Sequence, residues 1–477
     1  LQSSTPADIV EPASWDIFWD KNVRPAPYPA DIFGVFVQPK RTMGSEMRKY
    51  LQTHRWLQFQ VNIQNAPPSL WMLLGEARSK TEHIAGVPLR PATADVLHQV
   101  FLAKGVLATT AIEGNTLSED EVRKRIEGKL QLPKSKEYLG REVDNVASAL
   151  GHVLHDGLNG GGALITVEQI KEFNRLLLQG LEFDDSEVIP GQVRTHSVGV
   201  GNYLGPPAED CEYLLERLCE WLNGSEFEPH ESVGPVPMAI LKAILAHLYL
   251  AWIHPFGDGN GRTARLVEFK ILVAAGVPTP AAHLLSNHYN VTRAEYYRQL
   301  DRASRSGGDV LPFIQYAVQG FVDQMRTQVQ LIRLQQIDVA WRNFVHERFR
   351  DKNSAGDTRR RHLILDLSAS PKQTVLRSEL ELVSPRVARA YANKTLKTLT
   401  RDINLLQTSK LLRREGDGYR ANKEIILAFL PESTKRGALL SSLQEQEREF
   451  LSDTHLPPNL LMTGTAPPSV GGNSASP

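Results

Sequence analysis

The 477-residue chain has only two cysteines and no net charge, with 54 Lys and Arg set against 54 Asp and Glu. Two thiols cannot staple a protein of this size, so its stability must come from a packed core, which 41% apolar residues can supply. Neutrality removes any global electrostatic argument for nucleic acid or an acidic membrane surface. A membrane-length apolar run is also missing: Met238 to Ile253 reads as too short and contains Lys242 and His247. No basic leader or cleavage pattern opens the chain, and Leu1 in place of methionine reads as a truncated or processed start. No internal repeat is found. Cys211 and Cys219 stand two helical turns apart, roughly 12 Å along an axis that rises about 1.5 Å per residue, too far to bridge. With Leu214, Leu215, Leu218 and Leu222 they make one apolar face, which fits core burial and a reducing cytoplasm.

What the chain does have is concentrated in twelve residues, His254-Pro255-Phe256-Gly257-Asp258-Gly259-Asn260-Gly261-Arg262-Thr263-Ala264-Arg265. An apolar stretch from Val236 to Ile253 precedes them, and a helix ended by Gly276 and Pro278 follows, so they form a tight loop between two buried helices. Gly259 and Gly261 permit a sharp turn and close approach to a ligand, and the N–H groups opening the next helix form an anion site. Arg262 and Arg265 share one face of that helix, where two guanidiniums can clamp phosphate oxygens. Cations at a helix N-terminus oppose its dipole, which calls for an anion nearby. Asp258 is a hard oxygen ligand suited to Mg²⁺, and His254 can accept a proton near neutral pH.

This string resembles the signature of the Fic family, H-P-F-x-[D/E]-G-N-[G/K]-R-x-x-R, with every fixed position filled. The resemblance implies a mainly α fold, a helical bundle with a short β-hairpin flap, and a transferase that moves AMP from ATP to a protein hydroxyl. His254 would be the base and Asp258 the Mg²⁺ ligand. Gly257, Gly259, Asn260, Gly261, Arg262 and Arg265 would surround the phosphates.

Upstream, Thr109-Thr110-Ala111-Ile112-Glu113-Gly114 follows the pattern T-x-x-x-E-G and is similar to the family's inhibitory motif. By that resemblance Thr109, Glu113 and Gly114 are inhibitory, and Glu113 pairs with Arg265, contesting it with the γ-phosphate. Read from the residues alone, the same segment caps a helix, and Ser118 with Glu121 starts another by a capping box. Between the two motifs, Gly191 to Tyr203 alternates apolar and polar residues and reads as a hairpin. It stands where the family carries its target-binding flap, with Val198 facing the nucleotide or the target. The pair Tyr296-Tyr297 resembles the family's adenine-side helix, which assigns Tyr297 to ATP; either tyrosine could equally be core. Where the family often has an asparagine a little further on, this chain has Ser304.

Punctuation divides the chain into a helical, partly loose N-terminal region (1–92), a helical core with the inhibitory helix (93–333), a second module (334–430) and a largely disordered tail (431–477) containing one helix near 440–451. Residues 24–30 read as an extended connector. In the second module, Ser384 to Tyr391, Asn393 to Leu406 and a hairpin around Asp417-Gly418 look like a winged helix. Lys394, Lys397 and Arg401 fall at helical spacing, which could meet DNA phosphates, although a docking or dimerisation surface is favoured.

Two classes of function follow. One is an autoinhibited adenylyltransferase acting on Ser, Thr or Tyr of a target or of itself, with phosphotransfer or AMP removal as variants at the same site. The other is a transcription regulator whose winged helix acts while the helical core senses a ligand. The expected partners are ATP, Mg²⁺ and an unidentified protein; helical cores of this kind often dimerise, and no membrane is expected.

Overall fold

The computed structural model describes residues 48–427 except 90, 159–163, 202, 230–232, 371 and 373, and also 440, 442–445, 448 and 452. The connector at 24–30 and most of the tail lie outside the described residues. The fold is mainly helical. A short α1 (Tyr50–Thr53) precedes α2 (Pro68–Gly86) and α3 (Pro91–Ala111). At the end of α3 the chain turns through Gly114, whose φ of 104° suits a residue without Cβ. Ser118 then caps α4 (Glu119–Ile126): its hydroxyl accepts the Glu121 N–H, and the Glu121 carboxylate accepts the Ser118 N–H at 2.8 Å. Next comes α5 (Glu137–Leu158), and Thr166 caps α6 (Val167–Leu177) by accepting the Gln169 N–H.

The hairpin is shorter than the alternation from Gly191 to Tyr203 predicts. Only β1 (Gly199–Val200) and β2 (Tyr203–Leu204) pair, with Val200 opposite Tyr203. The preceding residues are irregular because Arg194 claims the carbonyls of His196 and Pro206, which a longer ladder would need. Beyond it lie α7 (Ala208–Leu222), α8 (Pro235–Ile253), α9 (Asn260–Ala274), α10 (Thr279–Ala282), α11 (Leu284–Val291), α12 (Arg293–Arg305) and α13 (Leu311–Arg348).

Helix α8 is apolar on every side, which is the pattern of a helix enclosed by others. At 19 residues it is longer than the run read from sequence, and it is the one described helix long and apolar enough to cross a membrane. It is almost wholly buried inside the protein. Helices α2, α7, α9 and α13 pack around it, so residues from Tyr50 to Met325 share one core. Cys211 and Cys219 are buried and unpaired, and burial pushes their thiols up to about 11 and about 12.

A second core gathers Trp341, Leu363, Leu399 and Ile403 with their neighbours. Its elements are α14 (Ala355–Ser368), β3 (Val375–Leu376), α15 (Pro385–Tyr391), α16 (Leu396–Thr408), β4 (Leu412–Glu415) and β5 (Gly418–Ala421), the strands forming an antiparallel sheet in the order β3-β5-β4. Helix α13 runs unbroken past residue 334, its first half in one core and Trp341 and Val345 in the other. Lys394 lies in the turn before α16, so only Lys397 and Arg401 of the three cations stand on that helix.

Candidate active site

Helix α8 delivers His254 to the edge of the first core, where it caps the helix in the left-handed region at φ 47° and ψ 57°. That conformation costs a residue with a side chain on the order of 1–3 kcal/mol and must be held by its surroundings. Arg194 holds it. Its Nε donates to the His254 carbonyl at 2.7 Å, and its two other nitrogens donate to His196 O at 2.7 Å and Pro206 O at 2.6 Å. Its backbone N–H donates to Pro255 O at 2.9 Å. One guanidinium, 4% exposed, thus ties the His254 loop to the hairpin. The hairpin's base is close enough that a Cβ on Gly205 would come within 3.5 Å of the His254 Cβ.

The His254 Nδ1 lies 3.4 Å from the Ala251 carbonyl, which can only accept, so Nδ1 carries the hydrogen and Nε2 keeps its lone pair. Burial pulls the imidazole below its ordinary pKa. The Ala251 contact and the Glu113 and Asp258 carboxylates act against burial, and Arg194 acts with it. The ring is therefore neutral near pH 7, the state a base requires.

The loop that follows is shaped by its own side chains. Asn260, expected among the phosphate ligands, accepts the Phe256 N–H at 2.9 Å and donates to the Phe256 carbonyl at 2.8 Å. Both ends of its amide close the turn. Gly259 caps α9 with φ 74° and packs against Asn174 and Leu178. The Asn174 amide donates to the Asp258 carbonyl at 2.9 Å and accepts the Gly191 N–H at 2.9 Å, joining α6, the loop and the hairpin's approach. Gly257 fits against Val188, whose Cγ2 an added Cβ would approach to 2.9 Å. Beside these contacts begins α9, and the first-turn N–H groups of a helix suit an anion.

Each arginine expected at that site has an acidic partner. Arg265 is 2% exposed, and its Nη2 donates to Glu113 Oε1 at 2.5 Å and to the Thr109 carbonyl at 3.0 Å. Thr109 thus contributes its main chain. The other two nitrogens of Arg265, Nε and Nη1, have no hydrogen-bond partner among the described residues. Burial works to raise the Glu113 carboxyl, but the Arg265 guanidinium by charge and hydrogen bond, with Arg262 and His254, holds it below its usual value. Arg262 donates from Nη1 to Glu142 Oε1 at 3.1 Å and from Nη2 to Asp258 at 3.2 Å. The anions demanded by two cations at a helix start are therefore supplied by the protein.

Asp258 has a side chain 46% exposed, and its Oδ1 accepts the Gly259 N–H at 2.6 Å. No group of three or more metal-binding side chains occurs among the described residues. A single exposed carboxylate nevertheless fits Mg²⁺, which is typically held by one or two carboxylates together with substrate phosphates. Of the tyrosine pair, Tyr296 is core, with its hydroxyl 2.8 Å from His247 Nε2. Tyr297 is 41% exposed and donates to the Ile112 carbonyl at 3.2 Å, beside the turn that carries Glu113. The Ser304 hydroxyl donates to Asp301 O within its own helix. Val198 is half-buried, and its carbonyl accepts the Gly205 N–H at 3.1 Å.

Sequence reasoning missed Arg194, Asn174 and Glu142. Arg194 carried a signal, a cation among small and apolar residues, but Glu142 sits in a charged stretch that gives no hint of its partner.

Residues 164–272, spanning α6 through most of α9, match the profile of the Fic/DOC family. The similarity to this family is carried by that segment. The chain is similar to the protein adenylyltransferase fic-1 of Caenorhabditis briggsae, at 32% identity over 229 residues, 46% of this chain and 41% of that protein. It is also similar to the protein adenylyltransferase Fic of Nematostella vectensis, at 32% over 208 residues, 44% of each. The chain thus spans less than half the length of these relatives. Among solved structures, Fic-1 of Caenorhabditis elegans (residues 134–508) aligns with a TM-score of 0.45 and 27% identity, covering 55% of this chain and 72% of that one.

Proposed function

We propose that the chain is a protein adenylyltransferase held off by its own Glu113. The relatives named above are called protein adenylyltransferases, and the residues at the site suit that chemistry. A target hydroxyl laid along the hairpin attacks the α-phosphorus of ATP in line. His254 Nε2 takes the hydroxyl proton, the new O–P bond forms and the bond to pyrophosphate breaks. Arg262, Arg265 and the α9 N-terminus balance charge on the phosphates. Mg²⁺ at Asp258 would neutralise phosphate charge when bound.

The observation that carries the reading is Arg265. A guanidinium 2% exposed, with two nitrogens unpartnered among the described residues and the third on Glu113 and the Thr109 carbonyl, suits an anion and is engaged by a carboxylate instead. While Glu113 stays, the γ-phosphate cannot reach that nitrogen, and the α-phosphate sits out of line with the incoming hydroxyl.

The exposed strands, with Val200 49% and Leu204 60% exposed, support strand addition by an extended target. The second module is assigned to contacts between proteins, because α16 exposes Leu396 and Leu405 beside Lys397 and Arg401. Incubation of Glu113→Gly with α-³²P-ATP and with γ-³²P-ATP in cell extract tests the reaction. Label from the α position alone marks adenylylation, whereas label from the γ position alone marks phosphotransfer and overturns the proposal.

A further inference from the structure

The inhibitory turn reaches the second arginine as well as the first. Asn115, one residue past Gly114, is 8% exposed. Its side-chain carbonyl accepts the Leu117 N–H at 3.1 Å, which sets the turn. Its amide nitrogen donates to the Leu139 carbonyl at 3.0 Å and to Glu142 Oε2 at 2.8 Å, both on α5. The other oxygen of Glu142 accepts from Arg262 Nη1 at 3.1 Å. One carboxylate is therefore divided between the turn that carries Glu113 and the arginine expected to clamp phosphate.

We infer that Glu142 is a positioning residue for Arg262, and that Asn115 makes that positioning depend on the inhibitory turn. The two arginines differ in what holds them. Arg265 is matched by Glu113, which on this reading must leave for phosphate to bind, whereas Arg262 is matched by a carboxylate on α5, outside both the inhibitory turn and the loop before α9. On its other side Arg262 meets Asp258, exposed and expected to turn toward Mg²⁺. A guanidinium with a side chain only 4% exposed needs a retained counter-charge once Asp258 turns to the metal, and Glu142 supplies it. Without Glu142, Arg262 collapses onto Asp258 and both are lost to the nucleotide. Asn115 fixes the carboxylate's rotation so that Oε1 faces Nη1. The turn then has two roles: it blocks Arg265 through Glu113 and orients Arg262 through Asn115.

The inference rests on the adenylyltransferase reading, and the test separates the two. Asn115→Ala and the isosteric Glu142→Gln are each placed in the Glu113→Gly background. ATP binding is measured by calorimetry, kcat and KM by α-³²P incorporation, and folding by thermal denaturation. In that background a purely inhibitory turn has nothing left to do. The expected result is an ATP Kd raised about fivefold to tenfold by Glu142→Gln and about threefold by Asn115→Ala, order-of-magnitude figures for weakening one charge-assisted contact. The loss lies mainly in KM, and Asn115→Asp, which sets a second carboxylate against Glu142, is worse than Asn115→Ala. Binding and kinetics within twofold of the parent in folded Glu142→Gln and Asn115→Ala proteins overturn the inference alone. A Glu113→Gly parent that neither binds ATP nor incorporates AMP overturns the functional reading and the inference with it.

Discussion

Replacing Glu113 by glutamine keeps the shape of the side chain that meets Arg265 and removes its charge. Two unit charges about 4 Å apart attract by roughly 4 kcal/mol at an effective dielectric near 20. The Arg265 side chain is 1% exposed but that of Glu113 is 32% exposed, so solvent screens part of this attraction. About 2–3 kcal/mol remains as the amount by which the pair opposes phosphate at Arg265. At about 1.4 kcal/mol per tenfold, that corresponds to roughly 30- to 150-fold in ATP affinity. The same pair also supports the empty protein, so the apo form of Glu113→Gln should melt at a lower temperature. The two effects carry opposite signs: the variant is less stable without ATP and gains more stability from ATP than the wild type does. Calorimetric titration with ATP and Mg²⁺, alongside melting curves with and without nucleotide, measures both. A variant destabilised in its apo form whose ATP affinity stays within twofold of the wild type would refute competition for one guanidinium.

Further outcomes follow from the same geometry. A Cβ at Gly261 would collide with the Glu113 carboxylate, so Gly261→Ala should lower the melting temperature of the wild type. In Glu113→Gly it should be neutral or stabilising by up to about 1 kcal/mol, the helical preference of alanine over glycine, and equal effects in both backgrounds would contradict the packing. Arg194→Lys cannot reproduce the fork onto three carbonyls. It should cost about 2–4 kcal/mol of stability in denaturant titration and reduce kcat in Glu113→Gly; unchanged values would mean that the left-handed His254 is held by something else. Because burial lowers the His254 pKa, the base stays neutral to more acidic pH than an ordinary histidine. The acid limb of kcat/KM in Glu113→Gly should therefore fall below about pH 6.5, the unperturbed histidine value. The Glu113 carboxyl is also lowered, so its support of the empty protein holds above the ordinary carboxylate range and disappears only as pH falls through its depressed value. Wild type at pH 5 should accordingly label no faster than at pH 7.

Much of the site was legible because its chemistry is local. Twelve consecutive residues contain the histidine proposed as base, the carboxylate proposed for the metal, the turn and both arginines, and the helices on either side announce themselves by apolar pattern and by Gly276. The contact between Glu113 and Arg265 spans 152 positions and came from family resemblance rather than from any spacing. What stayed hidden was what holds the site together. Arg194 acts on main-chain carbonyls, which have no sequence signature. The division of Glu142 between Asn115 and Arg262 depends on how α5 packs against α9, a tertiary fact. Asn260 was assigned by its place in the motif, yet its amide closes the loop, because a turn between two buried helices leaves main-chain groups that something must satisfy. The hairpin was overextended for a related reason: alternation was read as pairing where a buried arginine had taken the carbonyls.

The most direct test of the account is transfer of label from α-³²P-ATP to protein by four forms side by side: wild type, Glu113→Gly, His254→Ala and the double variant. The account predicts little labelling by wild type, a rise of roughly 30-fold or more in Glu113→Gly, and a fall of about 10²–10⁴ from that level when His254→Ala is added. Equal labelling by all four, or a double variant as active as Glu113→Gly, would contradict it.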